Sequence, residues 1–175
     1  GDDPTNRYKR GMVPSATITV TNNTFENSNS QVYINDHKLN TITINNNQFK
    51  NKSNGISIRP YYLVRYGPSY VTKPADVEIK NNTFTKDRKG VFIKAGRFDV
   101  TGNNFIESPG IRYEAVENTD PYDMNRQKGF FDYKINNNYF IKQKGWYGSS
   151  SNVYAIENVN AVEDNLELQN NTFCS

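Results

Sequence analysis

VEIKNNTF, Val77 to Phe84, is the stretch on which the fold turns, because its pattern of apolar, any, apolar, two variable, Asn, any, Phe returns five more times. The other copies are ITVTNNTF (Ile18 to Phe25), ITINNNQF (Ile42 to Phe49), FDVTGNNF (Phe98 to Phe105), YKINNNYF (Tyr133 to Phe140) and LELQNNTF (Leu166 to Phe173). The closing Phe residues fall at 25, 49, 84, 105, 140 and 173, in steps of 24, 35, 21, 35 and 33 residues. Self-similarity in that band, broken by insertions of uneven length, is the signature of a stacked solenoid.

Within a copy, the pair Val77 and Ile79 has strand period two, so both side chains face inward and Glu78 faces out. The Asn common to all copies then marks a corner, because Asn tolerates left-handed backbone conformations and bonds to neighbouring backbone. Stacking places Asn23, Asn47, Asn82, Asn103, Asn138 and Asn171 above one another. Their amides are expected to form a ladder along the axis. The Phe two residues later points inward, and six stacked rings would each bury about 1.5 to 3 kcal/mol of side chain.

A weaker motif follows most copies: QVYI (Gln31 to Ile34), GISI (Gly55 to Ile58), GVFI (Gly90 to Ile93), GIRY (Gly110 to Tyr113) and NVYA (Asn152 to Ala155). These read as a third parallel strand per coil, with Val32 and Ile34, Ile56 and Ile58, Val91 and Ile93, Ile111 and Tyr113, and Val153 and Ala155 inward. Three strands per coil, repeated in one direction, define an all-β, right-handed, single-stranded parallel β-helix of about six coils. It spans residues 17–175, after an N-terminal extension or incomplete coil at 1–16.

These coils resemble the pectate-lyase-like β-helix superfamily from about Ile18 to Phe173. The resemblance implies the fold and says little about chemistry, since scaffold and site evolve separately in such folds. Within it, ADVEIKNNTF and VFIKAGRFDVTGNNF are similar to the later coils of bacterial β-helical exo-α-galactosidases, which cleave terminal α-1,3-linked galactose with inversion. That likeness covers roughly Ile56 to Phe105 and carries over no catalytic residue, since the family's aspartate motif has no match in this chain.

The insertions carry more information about function than the repeats. Arg59 to Asp76 follows GISI, Glu114 to Asp132 follows GIRY, and Ile141 to Ser151 precedes NVYA, so all three border the third sheet. Long loops on a rigid scaffold concentrate binding and catalysis, which makes this sheet the expected floor of a cleft. Its outward residues are Tyr33 and Asn35, Ser57 and Arg59, Phe92 and Lys94, Arg112 and Glu114, and Tyr154. The loops add Tyr61, Tyr62, Arg65, Tyr66, Tyr70, Tyr122, Trp146 and Tyr147. Flat rings beside hydrogen-bonding groups suit sugars, which offer apolar CH faces and hydroxyl edges. The competing account is that these aromatics only pack the loops onto the coils.

The expected substrate-binding set is Arg59, Tyr62, Lys94, Arg112, Tyr122, Trp146 and Tyr154. Glycoside hydrolysis needs two carboxylates, and Glu114, Asp123 and Glu157 are the catalytic candidates, with Glu114 and Glu157 placed to face each other across coils if none intervenes. A lyase would need a basic group instead, from Arg59, Lys94 or Arg112.

Composition limits the other classes. Of 175 residues, 35% are apolar and the formal charge is +3, too mild to argue for nucleic acid. His37 is the only histidine and Cys174 the only cysteine, which leaves no multi-histidine site, no thiolate cluster and no internal disulfide. No cofactor is expected, although calcium on loop carboxylates such as Asp120 and Asp123 stays open. The sequons at Asn22, Asn51, Asn81 and Asn170 mostly fall out of the corner motif. No apolar run approaches the ~20 residues of a membrane span.

The expected function is a glycan-cleaving protein, or the downstream part of one, acting on an oligosaccharide or polysaccharide outside the cell, in a periplasm or on a virion surface. The alternative is a non-catalytic receptor-binding or structural module of a tailspike or adhesin. Uncapped coil ends suggest further domains of a longer protein or a homotrimer.

Overall fold

The computed structural model describes residues 16–27, 30–34, 39–58, 63–66, 69–72, 76–94, 97–114, 132–148, 150, 153–159 and 165–175. Three sheets run through them, and every neighbouring pair within each is parallel. The first holds the front halves of the six repeats, from Ala16–Thr21 through Leu39–Asn45, Asp76–Lys80, Arg97–Thr101 and Asp132–Asn136 to Asn165–Gln169. The second holds the short strands around the repeated Phe, from Thr24–Glu26 to Thr172–Cys174. The third holds Val32–Ile34, Ile56–Ile58, Val91–Ile93, Ile111–Glu114 and Ile156–Val159. This is a parallel β-helix of six coils, with the third sheet present in five of them.

The in-register pairing puts like on like. Phe25, Phe49, Phe84, Phe105, Phe140 and Phe173 stack with ring centroids 4.7 to 5.1 Å apart and planes within 6°. The four middle rings are fully buried. Phe98, Tyr113 and Tyr133 add a second aromatic cluster, with centroids 4.7 to 5.5 Å apart, inside the fourth and fifth coils. The rest of the core is Val and Ile from alternate strand positions. β-branched side chains pack well on a pleated surface, and that suits a thin interior.

The first corner divides its work between two adjacent residues. The left-handed conformation belongs to Asn22, Asn46, Asn81, Gly102, Asn137 and Asn170, with φ between 53° and 71°. The ladder belongs to the next residue. Each ladder Oδ1 from Asn47 to Asn171 accepts both the backbone N–H and the Nδ2 of the ladder Asn one coil earlier, at 2.9 to 3.2 Å. The repeat therefore needs both members of its Asn doublet, and the expectation that one Asn serves both purposes is corrected.

The second corner is also left-handed, at Asn27, Asn51, Lys86, Glu107 and Lys142. The third opens on glycine where coils approach most closely. Gly90 has φ 63°, and a Cβ there would stand 2.2 Å from the Gly110 carbonyl oxygen.

The fifth coil departs from expectation. Its third strand is Ile156–Val159 rather than NVYA, with Ile111 paired to Ile156 and Arg112 to Glu157. Ala155 occupies the glycine place, and its carbonyl accepts the Ile111 N–H at 2.8 Å as glycine carbonyls do in earlier coils. Val153, expected inward, is exposed. The missing glycine shifted the apparent motif three residues toward the N-terminus. In the first insertion, Leu63–Tyr66 and Ser69–Thr72 pair as an antiparallel hairpin.

Candidate functional site

The outer face of the third sheet is set by register. Tyr33, Ser57, Phe92, Arg112 and Glu157 occupy one column, each a coil above the last. Inward Val and Ile on either side hold these strands against the core, so the outward groups stand on a stiff floor.

A wall rises beside the floor after the second strand of the fifth coil. The chain turns through a short 3-10 segment, Trp146–Gly148, in which Tyr147 is left-handed at φ 58°. Trp146 meets Phe92 edge to face, with centroids 6.5 Å apart at 84°. The Tyr147 N–H donates to the Arg88 carbonyl at 2.9 Å. Lys89 Nζ lies 5.3 Å from the centre of the Tyr147 ring. Between floor and wall is a cavity of about 230 Å³, floored by Ser57, Phe92, Arg112 and Glu114 and walled by Lys89, Trp146 and Tyr147.

Charges alternate across the floor. Lys94 lies 3.7 Å from Glu114, Glu114 lies 3.3 Å from Arg112, and Arg112 Nε lies 3.7 Å from Glu157. These side chains are one quarter to one third exposed, so the pairs are partly shielded from solvent. Arg112 Nε is buried and has no hydrogen-bond partner among the described residues. Its charge partner is the Glu157 carboxylate at 3.7 Å.

The structure thus brings together Lys94, Arg112, Glu114, Trp146 and Glu157. Glu114 and Glu157 do not face each other as neighbours, since Glu114 pairs with Val159 and Glu157 with Arg112. The guanidinium stands between the two carboxylates. Tyr154 is exposed and precedes the floor strand instead of standing on it, the consequence of the three-residue shift. Arg59, Tyr62, Tyr122 and Asp123 lie outside the described residues. Lys89 was missed. Its only signal was its place before Gly90, at the corner feeding the floor strand.

A larger hollow, about 280 Å³, lies on the first sheet among Thr41, Thr43, Glu78, Arg97, Asp99 and Lys134. Lys80 spans its acids at 2.7 Å from Glu78 and 3.1 Å from Asp99. Lys80, with help from Asn45, holds the Glu78 carboxyl below the usual carboxylate range. The hollow is shallow and its one ring, Phe98, is 4% exposed, so it offers no platform. The smaller third-sheet cleft, with aromatic edges beside Arg112 and Glu114, is the better-equipped site.

Among the described residues no three His, Cys, Asp or Glu side chains gather as metal ligands, and Asp120 and Asp123 lie outside them. No helix among them is long and apolar enough to cross a membrane. Compared with protein-family models, curated proteins and solved structures, the chain gives no significant match.

Proposed function

We propose that the third-sheet cleft binds a saccharide. The observation that carries this reading is the meeting of Trp146 and Phe92 with Arg112 and Glu114 around one cavity. Rings pack against the CH face of a pyranose while the guanidinium and carboxylate take its hydroxyls. At about 230 Å³ the cavity falls below the roughly 300–1,000 Å³ of drug-sized sites, which suits one sugar unit of a longer glycan. Titration calorimetry against a panel of glycans tests the reading, with wild type compared to Trp146→Ala. Binding that ignores the Trp146 change sinks it.

Glycan cleavage is the second part of the proposal. Glu114 lines the cleft, and Glu157, outside that lining, approaches the same guanidinium, so two carboxylates flank Arg112. Hydrolysis predicts release of reducing sugar without an unsaturated, ultraviolet-absorbing product, and its loss in Glu114→Gln. If no glycan that binds is cleaved, the cleft belongs to a receptor-binding module of tailspike or adhesin type. A stable trimer by light scattering supports that outcome. Either role belongs outside the cell, in a periplasm or on a virion.

A further inference from the structure

Beneath the cleft wall lies a buried carboxyl that saccharide binding does not use. Asp87 is 6% exposed. Its Oδ2 accepts the Gly90 N–H at 3.0 Å, and its Oδ1 accepts the Ser108 hydroxyl of the next coil. On the opposite side, a Cβ added to Gly55 would meet Oδ2 at 2.9 Å, so the carboxyl fills space left by that glycine. Ser53 borders the same arc. Its carbonyl accepts the Arg88 N–H at 2.8 Å, and its buried hydroxyl has no partner among the described residues.

The two segments that Asp87 joins are the two from which the aromatic wall hangs. The Arg88 carbonyl, within the Asp87 to Gly90 arc, holds the Tyr147 N–H at 2.9 Å. The Ser108 carbonyl accepts the Lys144 N–H at 3.3 Å. Lys89, on the same arc, reaches over the Tyr147 ring. Among the described residues, these two backbone anchors of the wall therefore stand beside groups tied to one carboxyl.

We propose that Asp87 is the positioning residue of the cleft wall, clamping Gly90 to Ser108 and so fixing where Trp146 and Tyr147 stand over the floor. The consequence for ligand rests on the saccharide reading, whereas the clamp itself is measurable without a sugar.

Protonation then governs the clamp. Burial pushes the Asp87 carboxyl up to about 8, against backbone hydrogen bonds that favour the charged form. Across the coils it meets Ser108 and the Gly55 backbone, neither of which titrates. Among the described residues, the charged groups nearby are Lys86, Arg88 and Lys89 on its own arc, Lys52 on the preceding coil, whose N–H donates to the Lys86 carbonyl, and Glu107, 3.5 Å from Lys144, on the following coils, all at least partly exposed. The neutral acid stays under the wall. The carboxylate gains by reaching water, and the arc must open to let it.

Trp146 is the only tryptophan, so its fluorescence reports the wall alone. Acrylamide quenching of Trp146 is expected to rise about twofold between roughly pH 6 and 9.5, with far-UV dichroism unchanged. Asp87→Asn should hold the low-pH value throughout, and Ser108→Ala should show raised quenching already at the acid end. A flat wild-type titration, or a step that survives in Asp87→Asn, overturns the proposal. Should Asp87→Asn not fold, the wild-type titration and Ser108→Ala decide it on the same terms. Glycan affinity followed in parallel separates the two readings: an Asp87-dependent step without sugar binding at any pH upholds the clamp and removes the saccharide.

Discussion

Asn103 Oδ1 accepts two hydrogen bonds from Asn82 on the preceding coil, the backbone N–H at 2.9 Å and the side-chain Nδ2 at 3.0 Å. Asn82 does the same for Asn47 and sends its own Nδ2 to the Ile44 carbonyl at 2.8 Å. Asn82 is fully buried, so Asn82→Ala strands the Asn47 N–H in the interior. The expected loss is about 2–4 kcal/mol by urea unfolding. Asn23→Ala, at the exposed end of the ladder, should lose no more than about 1 kcal/mol. Equal losses at the two sites would contradict a ladder whose strength comes from burial.

The spacing of Asn82 and Phe84 made the coils legible, because a stacked fold repeats its demands at every layer. What the spacing hid was local. Asn81 reads as a variable position, yet it carries the left-handed turn, and five of the six coils use Asn there. Ile156 was hidden because Ala155 replaces the glycine that announces the strand elsewhere. Of the site, the floor residues Arg112 and Glu114 followed from strand alternation. Lys89 and the Trp146 wall depend on how an insertion folds back across coils, and no periodicity encodes that. Asp87 gave no signal either, since an Asp in a polar turn is ordinarily solvated.

The second corner holds Lys142 at φ 47°, in a conformation that costs a non-glycine residue about 1–2 kcal/mol. Lys142 is exposed. Lys142→Gly relieves that strain and gives back part of it as unfolded-chain entropy. The net expectation is a gain of up to about 1 kcal/mol in thermal unfolding. Lys134→Gly, in an extended strand, should instead destabilise, and a gain there would mean that chain entropy had been misjudged.

Asp87 makes stability depend on pH in an unusual direction. Its carboxyl is raised from 3.8 to about 8 in the folded protein, so between those values the native state keeps a proton that the unfolded chain has lost. Stability is then undiminished below the unfolded value and falls as pH rises toward 8, beyond which the loss is complete. Asp87→Asn removes that slope. It should be more stable than wild type near neutrality by up to about 4 kcal/mol, and the two should converge in acid. Parallel curves across the range would show that Asp87 is charged in the folded state.

Arg112 and Glu114 lie 3.3 Å apart on the cleft floor, each partly exposed. An ion pair in such a setting contributes about 0–1 kcal/mol to stability, so removing both together should leave the unfolding transition nearly unchanged. Removing Arg112 alone is harsher, because Glu157 then loses its cation and Glu114 keeps Lys94 at 3.7 Å. Against a bound sugar the double change deletes the donors and acceptor that orient its hydroxyls. Affinity should fall about tenfold or more by calorimetry, and Trp146→Ala should cost a similar factor through the lost ring contact. If the double variant binds as wild type does, the working face is not the third sheet. The first-sheet hollow would then be tested by Asp99→Ala, which frees Lys80 from one of its two carboxylates.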